Sequence, residues 1–131
     1  FFPSILAIGD HIRENRTGTQ DFQYQVYHTA LKYVNDNLNK SISANDVART
    51  CGVSPRHLNR IFVQYGGITL GKHIIRRRID KSFNLLIKTD APLEEIAGRL
   101  GFSDAAHFIR TFQKSTGITP GEYRKRLPGQ G

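Results

Sequence analysis

The chain has no methionine and a single cysteine among 131 residues. Without a methionine it lacks an initiator, so we expect a fragment or processed product of a longer protein. Cys51 has no partner for an internal disulfide and supplies no zinc-type cluster, and it reads as a buried structural thiol. No apolar run approaches the roughly 18 residues that a membrane-crossing helix needs, and no signal peptide is evident. These features fit a reducing cytoplasm and no membrane partner. The five histidines show no H-x-x-x-H spacing, and Gly66-Gly67 reads as a helix stop rather than a phosphate loop. We therefore expect no metal, no cofactor and no enzymatic activity.

Acidic residues are also scarce. Nineteen Lys and Arg face eleven Asp and Glu, a net charge of +8. A surface of that sign attracts polyanions, so nucleic acid or an acidic membrane is favoured over a neutral partner. The competing reading is a helical protein-interaction module whose basic face meets an acidic partner.

The chain is organised around Leu93 to Arg126. Ile96, Ala97 and Leu100 lie on one stripe of a short helix, Gly101 ends it, and Ser103 or Asp104 caps a second helix with Phe108 and Phe112 on its apolar side. Helix, glycine turn and capped helix make a helix-turn-helix pattern. The chain contains it twice. At an offset of 49, Val47, Ala48, Gly52, Val53 and Ser54 meet Ile96, Ala97, Gly101, Phe102 and Ser103. At an offset of 50, Leu58, Arg60 and Phe62 meet Phe108, Arg110 and Phe112, and Gly67-Ile68-Thr69-x-Gly71 meets Gly117-Ile118-Thr119-x-Gly121. Two copies of one small unit, the second with a longer turn, follow from this duplication.

At these residues, and through Pro120 and Tyr123-Arg124, the chain resembles the DNA-binding domain of the AraC/XylS family of bacterial transcription regulators, from about Tyr24 to Leu127. The resemblance implies an all-α domain of about seven helices, with two helix-turn-helix units flanking a long linker helix. It implies double-stranded DNA as partner, with RNA polymerase contact as an addition, and an upstream effector-binding or dimerisation domain missing from this fragment.

Residues 1–21 read as the tail of such an upstream domain or a linker, with Thr17-Gly18-Thr19 as a loop, and 22–131 as the DNA-binding domain. An amphipathic helix is expected over Phe22 to Leu38. The first unit spans about 43–67, with Ser43 and Asp46 as a capping box and Ile42 stapled to Val47. The linker helix covers about 69–88, with Ile75, Ile79 and Leu86 on its apolar side and Arg76, Arg77, Arg78 and Lys81 over the rest. The resemblance leaves Arg78 either near the DNA backbone or packed internally. The second unit covers about 92–117 and a last helix about 119–127, after which Pro128-Gly129 finishes the fold.

Side chains on the exposed face of a helix in the major groove meet a distinct donor and acceptor pattern for each base pair. Arg56, Asn59 and Arg60 form the first candidate base-reading set, since Arg pairs with guanine and Asn with adenine. The second helix offers Ala105, Ala106 and Arg110, with Ile109 either buried or facing DNA. Alanines read no hydrogen-bond pattern, so the first unit is expected to carry most of the discrimination. Ser54, Thr69, Ser103 and Thr119, at the helix starts, together with His57 and His107, are the candidates for backbone contact.

Overall fold

The computed structural model describes residues 18–126. These form seven helices and no strand: α1 (Gly18–Asp36), α2 (Ala44–Cys51), α3 (Pro55–Gly66), α4 (Leu70–Lys88), α5 (Leu93–Arg99), α6 (Ala105–Thr116) and α7 (Pro120–Arg126). Residues 1–17 and 127–131, with the expected upstream tail and the closing Pro128-Gly129, lie outside the described residues. The expected loop at Thr17-Gly18-Thr19 is corrected at its second and third positions, which open α1. That helix starts four residues before Phe22, because the polar residues ahead of its apolar stripe continue the helix rather than break it. It also ends at Asp36, and Leu38 is buried from the turn that follows.

Two cores account for the packing. Val26, Ala30 and Val34 of α1, Val47 and Ala48 of α2, and Leu58, Ile61 and Phe62 of α3 form the first, closed by Leu70 and Ile74 at the start of α4. Ile79 and Leu86 of α4 join Ile96, Ala97, Leu100, Phe102, Phe108 and Phe112 in the second. Helix α4 therefore belongs to both units and changes core in its middle. This corrects one expected core position: Ile74 is buried, whereas Ile75 is 39% exposed and lines an open cleft between α4 and α6. Ile79 and Leu86 are buried as expected.

Each helix-turn-helix turn closes in the same way. Val53 N–H donates to Ala48 O at 3.1 Å and Phe102 N–H to Ala97 O at 3.0 Å, around Gly52 at φ +76° and Gly101 at φ +82°. This is the six-residue closure that a left-handed glycine after a helix permits. The start of α2 departs in part from the expected capping box. Ser43 Oγ accepts from Asp46 N–H at 3.1 Å, while the short Asp46 carboxylate meets Arg49 at 3.5 Å. At the far end, Arg124 of α7 donates to the carbonyls of Leu86, Thr89 and Ala91 at 3.1, 3.1 and 2.9 Å. A cation there satisfies groups that the C-terminus of α4 leaves open and complements its dipole.

Candidate nucleic-acid interface

Helices α3 and α6 are the two repeat-equivalent second helices. Ser54 Oγ accepts from His57 N–H at 3.1 Å and Pro55 opens α3, so the helix starts where a missing proline N–H costs nothing. Leu58, Ile61 and Phe62 turn inward, which leaves Arg56, Arg60, Val63 and Gln64 exposed. Val63 is 50% exposed, an apolar side chain standing among polar ones. Arg60 lies between two open surface clefts, one lined also by Gln23 and His57, the other by Asn59 and Val63.

Asn59 is placed differently from its neighbours. It is half-buried, and its Oδ1 accepts from Leu70 N–H at 3.1 Å, at the start of α4. A two-point adenine contact needs both amide groups of Asn, and here one of the two lone pairs of the acceptor is already engaged.

On α6 the equivalent face carries exposed Ala106, Arg110 and Gln113, with Ala105 and Ile109 half-buried. Gln64 and Gln113 escaped the sequence reading, which took its readers from the first two turns; their outward phase on α3 and α6 is the signal that could have found them. The ion pairs among the described residues, Lys32–Asp36, Arg49–Asp46, Arg77–Asp80 and Arg99–Glu95, sit on other helices. Arg56, Arg60 and Arg110 take part in none of them.

The helix starts differ in charge between the units. In the first, the caps are neutral hydroxyls: Ser54 on α3, and Thr69 on α4, whose Oγ1 accepts from Lys72 N–H at 3.3 Å. In the second, Asp104 rather than Ser103 caps α6, its carboxylate accepting from His107 N–H at 2.8 Å. Ser103 stays exposed with Oγ 3.4 Å from His107 Nδ1. At α7, Glu122 folds back onto Thr119, accepting from its N–H at 2.9 Å and its hydroxyl at 3.1 Å. Those bonds, from the backbone first, hold the Glu122 carboxyl below its usual pKa. An anion at a helix N-terminus occupies the place where a phosphate would sit. Cys51 is half-buried, its Sγ 3.7 Å from Val26 O, and burial pushes its thiol pKa up, away from reactivity.

A family model described as a helix-turn-helix domain matches residues 47–126, covering both units. The HTH-type transcriptional activator AarP of Providencia stuartii is 33% identical over 113 residues, which cover 86% of this chain and 83% of that protein. Among solved structures, a transcriptional regulator of Chromobacterium violaceum with an AraC-type DNA-binding domain superposes with a TM-score of 0.74 at 30% identity, over 82% of this chain and 96% of that one. The DNA-binding domain of the global transcriptional factor AdpA, solved with a target DNA, gives a TM-score of 0.70 at 25% identity, over 83% of this chain and 97% of that one. The chain belongs to the AraC/XylS family and carries its double helix-turn-helix DNA-binding domain. It spans only 36%, 44% and 32% of the length of three other curated relatives that it matches.

Proposed function

We propose that this chain binds duplex DNA in a sequence-dependent manner as the DNA-binding part of a bacterial transcription regulator, with α3 and α6 in successive major grooves. The observation that carries this is the pair of repeat-equivalent helices, each presenting an exposed arginine, Arg60 and Arg110, outside the ion pairs among the described residues. The 19 residues of α4, at about 1.5 Å each, form a rod of about 28 Å, close to the roughly 34 Å of one DNA turn. Arg56, Arg60 and Val63 read bases from the first helix, and Arg110 with Ala105 and Ala106 faces them from the second. Ser54, His57 and Thr69 meet the phosphate backbone, with Ser103, His107 and Thr119 as weaker counterparts.

This role is non-catalytic, needs no cofactor and belongs in the cytoplasm. RNA polymerase is an additional partner in activation, and an upstream effector or dimerisation domain completes the protein. A selected duplex site tests the proposal. The chain should bind as a monomer over about two turns, with affinity falling steeply as salt rises, because phosphate neutralisation releases counterions. Affinity independent of ionic strength, or equal affinity for an acidic protein of similar charge, would favour the protein-interaction module instead.

A further inference from the structure

We propose that Arg78 is a positioning residue that sets the distance between the two recognition helices, and with it the spacing of the two DNA half-sites that the domain accepts. The inference rests on the DNA-binding reading above. Its starting point is a second register of the duplication. A shift of 52 residues lays Val26, Ala30 and Val34 of α1 on Arg78, Ser82 and Leu86 of α4, and all six are buried. A guanidinium thus occupies a core position that a valine fills in the first unit.

Burying that group is unfavourable. Arg78 is only 9% exposed, and its Nε has no hydrogen-bond partner among the described residues. A position that needed only volume would be served by valine. What arginine adds is a link between the units. Its Nη2 donates to Lys40 O at 2.8 Å, in the turn between α1 and α2, and its guanidinium carbon lies 5.7 Å from the centre of the Phe102 ring, in the turn between α5 and α6. Gly101 completes the joint: a Cβ there would stand 2.6 Å from Leu38 O and 2.8 Å from both Lys40 O and Arg78 Nη2. The adjacent Arg77 reaches Asn35 Oδ1 at 3.3 Å, reinforcing the same seam.

Helix α4 needs this brace. Ser82 Oγ donates to Ile79 O at 2.6 Å, one turn back, and such side-chain competition for a helix carbonyl favours bending. A bend there would swing α6 relative to α3. The Arg78 clasp ties the turns of both units across that point and opposes it.

Two readouts test the role. The first uses spin labels on Gln64→Cys and Gln113→Cys in a Cys51→Ala background, without DNA. The intact clasp should give one narrow distance distribution, Arg78→Met a broad one and Arg78→Lys an intermediate one. The second uses a selected duplex with one base pair inserted between the half-sites, which shifts them by about 3.4 Å and turns them by about 35°. Arg78→Met should reduce the penalty for that insertion by about tenfold, the equilibrium worth of one charge-assisted hydrogen bond. An unchanged distribution with an unchanged penalty in a folded Arg78→Met variant would overturn the proposal. Unfolding of both Arg78→Met and Arg78→Lys would overturn it too, by making the arginine a requirement for folding. If no duplex is bound while the distribution still broadens, the DNA-binding reading fails and the role between the units stands.

Discussion

Asn59 Oδ1 accepts from Leu70 N–H at 3.1 Å, so the first recognition helix holds the start of the linker helix. At an offset of 50 the same pair of positions in the second unit is Ile109 and Pro120. Proline has no N–H, so no acceptor is needed there and an apolar residue stands in place of Asn. The Asn–Ile difference between the units is thus explained by helix capping without invoking base reading. We expect Asn59→Ala to lower stability by about 1 kcal/mol, the usual cost of an unmet helix-start donor, and to leave base preference unchanged. Urea denaturation and a base-by-base scan of a selected site check this. Unchanged stability with one relaxed position would return Asn59 to the readers.

The two turn glycines give a matched comparison. Both lie in the left-handed region, but nothing stands within 4 Å of a Cβ built on Gly52, whereas three polar atoms stand within 2.8 Å of one on Gly101. Gly52→Ala should therefore cost about 1 kcal/mol, from backbone strain alone. Gly101→Ala should cost at least about 2 kcal/mol more, as overpacking is added. Equal melting temperatures for the two variants would show that the joint around Gly101 yields freely.

The duplication was legible because both copies must build the same turn and the same buried stripe. Gly52 and Gly101, Leu58 and Phe108, and Phe62 and Phe112 answer to identical geometry in the two halves. Less legible was whatever depends on a partner distant in sequence. Ile74 and Ile75 are equally apolar, and only the change of core within α4 decides which is buried. The resemblance leaves Arg78 near the DNA backbone or packed internally, and the contacts with Lys40 and Phe102 decide for the interior. Asn59 has the residue type of a base reader, and its bond to Leu70 adds a capping role across a helix end that spacing alone does not reveal. Local rules placed the helices; long-range contacts assigned the side chains.

His73 makes stability depend on pH. Burial first, then the positive charges of Arg77 and Arg76, lower its pKa below the ordinary histidine value, and its ring lies 5.4 Å from that of Phe62. The folded state therefore holds the neutral form at a pH where the unfolded chain already binds a proton. Stability is fully present above about pH 6.5 and falls as the pH drops below it toward the folded-state pKa. The position equivalent to His73 in the second unit is Tyr123, which makes His73→Tyr a natural control. Urea midpoints at pH 7.5 and pH 5.5 should differ more for the parent chain than for His73→Tyr. Equal differences would remove His73 from the account.

Arg60 and Arg110 are repeat-equivalent and both exposed, yet their surroundings predict different roles. Arg60 follows exposed Arg56 by one turn, and the helix starts near it, at Ser54 and Thr69, are capped by neutral hydroxyls. Arg110 follows Ala106, and the helix starts of its unit carry the carboxylates of Asp104 and Glu122. Those anions oppose close approach of phosphate, so the second helix should be held less tightly against the bases. We expect Arg60→Ala to lose about 1 to 3 kcal/mol of discrimination at one base pair, the size of a two-point guanine contact. Arg110→Ala should weaken all sequences by similar factors, as loss of a backbone-positioning charge does. Asp104→Ser, which restores a neutral cap of the first-unit type, should then raise affinity without changing base preference. The measurement is a scan of a selected duplex, one base pair at a time, with each variant. A single relaxed position for Arg110→Ala beside a uniform loss for Arg60→Ala would reverse the assignment and make α6 the principal reader.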